Sequence, residues 1–274
     1  MKIGIIGGYG GMGSLFAGVF TRAGHDVLRS GRRTALTASD LAARCDCVMV
    51  SVPIRETVAV IEAIAPDLHE EQVLCDLTSL KAEPVAAMLR SPAQVIGMHP
   101  LFGPQVSSLT NQTIILTPAR CREQTLAVFS EIFSREGALV TLSTPEEHDR
   151  MMAVVQALTH FATLALAGTM RRTGVDLDRV LSFTSPVYRI ELALIGRILG
   201  QDADLYGPIL MDNPHVPAVL DALDAVASDL RSMVESGDAD GFRRFFSDQK
   251  ATFAPYVDRA TAESNTLIEA LVKQ

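Results

Sequence analysis

The stretch Gly8-Tyr9-Gly10-Gly11-Met12-Gly13 constrains this chain more than any other. Six of the first thirteen residues are glycine. Glycine loses more backbone freedom on folding than any other residue, so such a cluster marks a backbone that other residues cannot adopt or approach. Before it stands KIGII (Lys2–Ile6), a short apolar run of β character. After it, in MGSLFAGVFTRAGHDV, residues Leu15, Phe16, Val19 and Phe20 share one helical face. Gly24 stops that helix, and HDVLRS reads as a second strand. Gly8-x-Gly10-x-x-Gly13 therefore joins strand to helix in a βαβ unit of about 30 residues, the setting a dinucleotide-binding loop requires. The first glycine allows the tight turn, the second a close approach to a pyrophosphate, and the third helix-on-strand packing. The free N–H groups and positive dipole end of the helix face the phosphates. Gly8, Gly10, Gly11, Met12 and Gly13 are the candidate cofactor contacts here.

Strand-like and helix-like segments continue to alternate: DCVMVSVP, ETVAVIEAIAPDL, QVLCDLTS, KAEPVAAMLR and AQVIGMHP. That order implies an α/β fold with a parallel, doubly wound sheet. From about Glu146 the pattern becomes wholly helical. With 274 residues the chain has room for two domains. The expected division is a Rossmann domain over 1–145 and an all-helical domain over 146–274. Segments such as FATLALAGTM are too apolar to face solvent on any side, which predicts a homodimer formed through the helical domain. No run approaches 18 uninterrupted apolar residues, which argues against a membrane span. The start lacks the apolar stretch and cleavage site of a signal peptide, so a cytoplasmic location is expected. A net charge of −8 disfavours nucleic acid and anionic membranes as partners. The four cysteines, Cys45, Cys47, Cys75 and Cys121, lack metal-ligand spacing and read as reduced residues in or near the core.

The second strand bears on the choice of nucleotide. NAD-binding strands of this kind usually end in an acidic residue that holds the ribose 2′-hydroxyl. Here the position falls near Ser30, with Arg29, Arg32 and Arg33 around it. A carboxylate would repel a 2′-phosphate and arginines would attract one. NADP is therefore the expected cofactor, with NAD as the alternative if the arginines form only a solvated loop.

Five further stretches carry residues suited to chemistry: SVPI (Ser51–Ile54), DLTSLK (Asp76–Lys81), HPLFGP (His99–Pro104), VQALTHF (Val155–Phe161) and SPVYRIELALIGR (Ser185–Arg197). The first three each end a strand, where open α/β sheets bind ligands. Ser51, Val52, Pro53, Ser79 and His99 are thus expected near the nicotinamide. Arg189 and Arg197 lie eight residues apart on one helix, about 80° apart around its axis, so both can face one cleft. An apolar helix keeps arginines only with a counter-charge, either an internal acid such as Glu191 or a substrate carboxylate. His160 on the preceding apolar helix is either a satisfied core histidine or a pocket residue.

Taken together, GxGxxG, SVPI, DLTSLK, HPLFGP, QALTHF and SPVYRIELALIGRILGQDADLY strongly resemble the prephenate dehydrogenase family of tyrosine biosynthesis, in the same order and over nearly the whole chain. The likeness is greatest to the dehydrogenase half of the bifunctional bacterial enzymes, and the chain is expected to be a stand-alone dehydrogenase core. The resemblance implies a Rossmann domain followed by a helical dimerisation domain. It matches His99 to the histidine that accepts a hydrogen bond from the ring 4-hydroxyl. It matches Ser79 to a serine that contacts that hydroxyl and the histidine, and Arg197 to the arginine that binds the ring carboxylate. Arg189, Gln156, His160 and Tyr206 match pocket or nearby positions. Ser30 departs from the acidic residue of relatives that prefer NAD.

The implied reaction is oxidative decarboxylation. Hydride leaves C4, neutral His99 takes the hydroxyl proton, and loss of CO2 aromatises the ring. Activity should then rise with pH through the histidine pKa, near 6.5 if unperturbed. Ser79 would fix the geometry, and Arg197 would orient the leaving carboxylate. Prephenate, a dicarboxylate, is the leading substrate, with arogenate and 4-amino-4-deoxyprephenate as alternatives. A β-hydroxyacid or imine reductase is a more distant reading, disfavoured because the long helix offers Gln156 and His160 but no lysine. A non-catalytic NADP-sensing protein is disfavoured by His99, Ser79 and Arg197.

Overall fold

A computed structural model describes residues Met1–Lys273. The chain forms two compact units, divided after Met152.

The first unit is built on a seven-stranded sheet of order β2-β1-β3-β4-β5-β6-β7. The strands are β1 (Lys2–Ile6), β2 (Asp26–Ser30), β3 (Cys47–Val50), β4 (Val73–Asp76), β5 (Gln94–Pro100), β6 (Thr113–Arg120) and β7 (Leu139–Leu142). Between them run α1 (Gly11–Arg22), α2 (Ala38–Arg44), α3 (Ile54–Ile64), α4 (Ala82–Met88) and α5 (Glu123–Arg135), followed by α6 (Pro145–Met152). The sequence reading found β1 to β5 but placed no element between Pro104 and Glu146. The expected parallel, doubly wound arrangement holds for β1 to β5, and the unread strand β6 runs antiparallel to β5. The physical reason is the connection: no helix separates β5 from β6, and a parallel pair needs a crossover. Helix α5 supplies one between β6 and β7, and that pair is parallel.

Strand alternation divides the core between the two sheet faces. Ile3 and Ile5 of β1, with Cys47 and Met49 of β3, pack against Phe16, Phe20, Phe129 and Phe133 of α1 and α5. The Phe16 and Phe133 rings meet edge to face at 5.8 Å. On the opposite face Ile6, Val48 and Val50 meet Leu41, Ile61 and Met88 of α2, α3 and α4. Gly4 faces this second core. A Cβ there would lie 2.9 Å from Cys45 Sγ, which is why the strand carries glycine.

The second unit is helical: α7 (Thr159–Thr173), α8 (Leu177–Ser182), α9 (Pro186–Leu199), α10 (Ala203–Met211), α11 (Val216–Ser236) and α12 (Ala239–Val272). A π-helical turn, Ala153–Leu158, links α6 to α7 in one helical stretch of 29 residues, Pro145–Thr173. That stretch is long and apolar enough to cross a membrane by length and composition, a test that core and interface helices of soluble proteins also pass. It carries Gln156 and His160. The turn packs against α7, α10 and α11, and α9 packs against α7 and α12. Few side chains are buried here, and α7 buries none.

Candidate functional site

The glycine loop folds as a nucleotide cradle. The left-handed residue is Gly7 (φ +76°), one position ahead of the fingerprint, so the tight turn belongs to Gly7 rather than Gly8. A Cβ at Gly7 would lie 2.1 Å from the Ser51 carbonyl oxygen. Gly8 is fixed by packing instead, since its Cβ would meet the Arg29 side chain at 2.8 Å. At Gly13 a Cβ would come within 2.5 Å of the Gly7 carbonyl, so helix and loop pack as the fingerprint requires. Gly11 makes room for Pro104 of the loop after β5. Helix α1 starts at Gly11 with no acidic residue in its first turn, leaving its N-terminal N–H groups to an anion. Met12, partly buried, packs against the core of this unit.

Beside this loop lies a cleft of about 460 Å³. Gly10, Ser30, Arg32, Ser51, Val52 and Pro53 all line it, as the sequence suggested. Ser30 is buried, and its carbonyl accepts hydrogen bonds from Gly7 and Gly8 at 2.9 and 3.1 Å. Arg29 lies over the Tyr9 ring, 4.4 Å from its centre. Arg33 is exposed. The sequence reading missed Glu56, which also lines the cleft and pairs with Arg32 at 2.6 Å. The cradle and cleft fit a dinucleotide: backbone donors for the pyrophosphate, and Ser30 with the arginines near the second strand's end.

His99 ends β5 at the carboxyl edge of the sheet and is buried. Its Nδ1 lies 2.8 Å from His148 Nε2. His148 Nδ1 in turn lies 2.8 Å from Asp149 Oδ1. Asp149 also accepts the backbone N–H groups of Lys81 and Ala82, at 2.8 Å each. Lys81 is fully buried; its Nζ donates to Asp76 and, at 3.0 Å, to the Met98 carbonyl. Burial, the nearby His148 and the Lys81 charge all push His99 well below the ordinary imidazole value. Burial lowers His148 as well, with Asp149 opposing. Burial pushes Asp149 up, but hydrogen bonds from His148, Ala82 and Lys81 outweigh it and hold the carboxyl low. In the Lys81–Asp76 pair burial dominates, lowering the lysine and raising the acid, and each partner partly offsets the other's shift.

Ser79 is half-buried on the loop after β4, and no hydrogen bond joins it to His99. The imidazole contact expected of Ser79 is made here by His148. Sequence reasoning passed over His148, Asp149, Lys81 and Asp76. Lys81 and Asp76 were legible only as part of DLTSLK, and the His-Asp pair inside the charged helix PEEHDRMM was the one visible signal.

In the second unit, His160 and Tyr206 meet edge to face at 4.8 Å. Gln156 Oε1 and His160 Nδ1 are buried without a hydrogen-bond partner, a condition that favours a polar ligand. Burial lowers the His160 pKa. Burial raises that of Tyr206, and the positive charge of Arg197 opposes the shift. Arg189 instead lines an apolar groove of about 550 Å³ with Met170 and Leu192. Both arginines are exposed. Glu191 pairs with neither, and among the described residues the salt bridges involve other groups. Both guanidinium groups reach solvent, so the helix keeps them without an internal counter-charge, and the expectation that one must be supplied does not hold.

A family model described as prephenate dehydrogenase, nucleotide-binding domain, matches residues 28–142, and one described as prephenate dehydrogenase, dimerization domain, matches residues 144–248. The T-protein of Haemophilus influenzae is 36% identical over 269 residues, covering 98% of this chain and 71% of that protein. The probable arogenate/prephenate dehydrogenase of Methanocaldococcus jannaschii is 33% identical over 294 residues, covering 100% of this chain and 66% of its own length. The solved structure of prephenate dehydrogenase from A. aeolicus in complex with hydroxyphenyl propionate and NAD+ matches with a TM-score of 0.76 at 20% identity, over 93% of this chain and 98% of that one. That last likeness is one of fold.

Proposed function

The chain belongs to the prephenate dehydrogenase family, and from that premise we propose that it converts prephenate to 4-hydroxyphenylpyruvate with NADP as hydride acceptor. The observation that carries this reading is His99: a buried imidazole, held neutral, at the carboxyl end of a central strand. The bound nicotinamide supplies the acceptor for the hydride leaving C4. His99 takes the 4-hydroxyl proton as the carbonyl forms, which requires the unprotonated ring. Ser79 contacts the same hydroxyl from the β4 loop. Arg197 orients the ring carboxylate through its guanidinium fork, and the bond to that carboxylate breaks as CO2 leaves and the ring aromatises. In this reading Gln156, His160, Tyr206 and Arg189 of the helical unit are assigned to binding the substrate. Binding the ground state more tightly than the transition state would not help, so the role of Arg197 is orientation.

NADP is favoured because β2 ends in Ser30 where an acid would repel the 2′-phosphate, and because Arg32 and Arg33 stand beside it. The helical unit assembles as a homodimer in this reading, and the apolar helix α7 is covered by a second copy in a cytoplasmic enzyme rather than by lipid. The test is turnover by the purified chain. Prephenate, arogenate and 4-amino-4-deoxyprephenate are each offered with NAD and with NADP, and reduced nicotinamide is followed by absorbance. Prephenate with NADP should be fastest. Turnover of another ring reassigns the substrate, preference for NAD overturns the cofactor, and silence with every ring sinks the reading.

A further inference from the structure

The groups behind His99 decide which of its nitrogens carries the proton. Asp149, ionised, only accepts hydrogen bonds, and it already takes two backbone N–H groups at 2.8 Å. Its 2.8 Å contact with His148 Nδ1 therefore places a proton on that nitrogen. A neutral imidazole carries one ring proton, so His148 Nε2 presents a lone pair. The 2.8 Å contact between this lone pair and His99 Nδ1 then places the His99 proton on Nδ1. By the same count His99 Nε2 carries a lone pair, and among the described residues no hydrogen bond occupies it.

We propose that His148 and Asp149 are positioning residues that lock His99 in the Nδ1–H tautomer, so that Nε2 faces the substrate as a proton acceptor. The proposal rests on the reading of His99 as the base. The other tautomer would put an N–H where the hydroxyl proton must go, and would block the reaction without moving an atom of the ring. Asp149 is itself held in place. Its two oxygens receive N–H groups from Lys81 and Ala82 where α4 begins, so the acid cannot rotate away. The charged groups around the pair of rings are Asp149 on α6 and the pair formed by Asp76 at the end of β4 and Lys81 just before α4. The Lys81 charge and burial both disfavour a proton on either ring before substrate binds.

The balance closes. The C4–H bond electrons leave as hydride to the nicotinamide, and the hydroxyl proton passes to Nε2. The electrons of the breaking ring–carboxylate bond complete the aromatic ring. His99 is then an imidazolium whose Nδ1–H still donates to His148, with the Asp149 charge one ring further back. That Nε2 proton returns to the phenolate oxygen left when the ring aromatises, giving the phenol and restoring neutral His99.

The deciding experiment uses the whole protein labelled with 15N-histidine. Long-range proton–nitrogen correlation reports each ring's tautomer, and His99 is assigned by the loss of its signals in His99→Asn. The expected result is Nδ1–H at His99 at neutral pH in the unsubstituted protein. Finding Nε2–H there overturns the proposal whatever any variant does. Two substitutions add a kinetic readout. His148→Phe removes the acceptor, and kcat should fall about 100-fold with substrate KM changed little. His148→Gln places an amide oxygen near the former Nε2 and should recover at least about tenfold of that loss. Equal losses in both variants, or a loss confined to KM, would mean that His148 only fills space, and would overturn the proposal. The Nδ1–H tautomer without turnover of any ring would leave the positioning intact and sink the assigned reaction. Turnover with the Nε2–H tautomer would do the reverse.

Discussion

The two units of this chain treat apolar surface in opposite ways. In the first, every helix on the sheet buries its apolar stripe, and four phenylalanines from α1 and α5 interlock against the strands. In the second, α7 buries no residue, and Leu166, Tyr188, Leu194 and Phe253 remain exposed on its helices. Both are similarly rich in apolar residues, so composition does not separate them. What differs is closure. A sheet covered by helices on two faces completes a core within one chain, whereas a set of helices with apolar residues on several sides must find a partner. The first unit also closes around charge: Lys81 and Asp76 are fully buried together, whereas both arginines of α9 are exposed.

This contrast can be broken by substitution. The largest effect should come from His99→Asn, with kcat falling about 100- to 10,000-fold while nucleotide affinity, measured by fluorescence titration, stays near that of the unsubstituted protein. Lost nucleotide binding would show that the residue supports the fold rather than the chemistry. Next, Lys81→Met strands Asp76 in the core and should destabilise the first unit by about 3–5 kcal/mol in denaturant unfolding. A change below about 1 kcal/mol would mean that the pair is more hydrated than its burial indicates.

Leu194→Glu probes the second unit in the same way. Because Leu194 is 45% exposed, the substitution should alter the stability of the isolated chain by no more than about 0.5 kcal/mol. It should nevertheless dissociate the proposed dimer, read by sedimentation; a dimer that persists would place the interface on another face. Glu56→Gln should have a smaller effect, releasing Arg32 from its ion pair and raising the NADP-to-NAD ratio of kcat/KM several-fold, about 1 kcal/mol for an exposed charge. An unchanged ratio would remove Arg32 from the 2′-phosphate site.

The mildest test is pH. His99 must be unprotonated to act, and its burial moves the pKa below the usual 6.5. The active form therefore survives to lower pH than a free imidazole would allow. The acid limb of kcat/KM should lie below 6.5, with a plateau through neutrality, and an acid limb above 6.5 would contradict the burial seen here.

Much of the site was legible because its residue types are local. The glycine loop, Ser30 at the end of β2 and His99 at the end of β5 all follow from short-range pattern. The register that puts Ser51 beside the loop, by contrast, is set by the pairing of β3 with β1, which the alternation does not specify. Glu56 escaped notice because it pairs with Arg32 across 24 residues. His148 escaped notice because its partner lies 49 residues away, and a histidine in a charged helical turn gives no sign of burial. Glu191, one of the two kinds of counter-charge left open for the arginines of α9, does not pair with Arg189 because residues two apart on a helix point in different directions.

By itself the sequence determined the α/β character of the first unit, the nucleotide loop and the family, because glycine spacing and hydrophobic period act over a few residues. Only the tertiary structure decided that β6 turns antiparallel, that the tight turn falls at Gly7, and that a lysine is buried beneath the site. It alone brought His148 and Asp149 behind His99. Those outcomes depend on which distant groups meet once water is excluded, and burial is a property of the packed chain that no short stretch of residues carries.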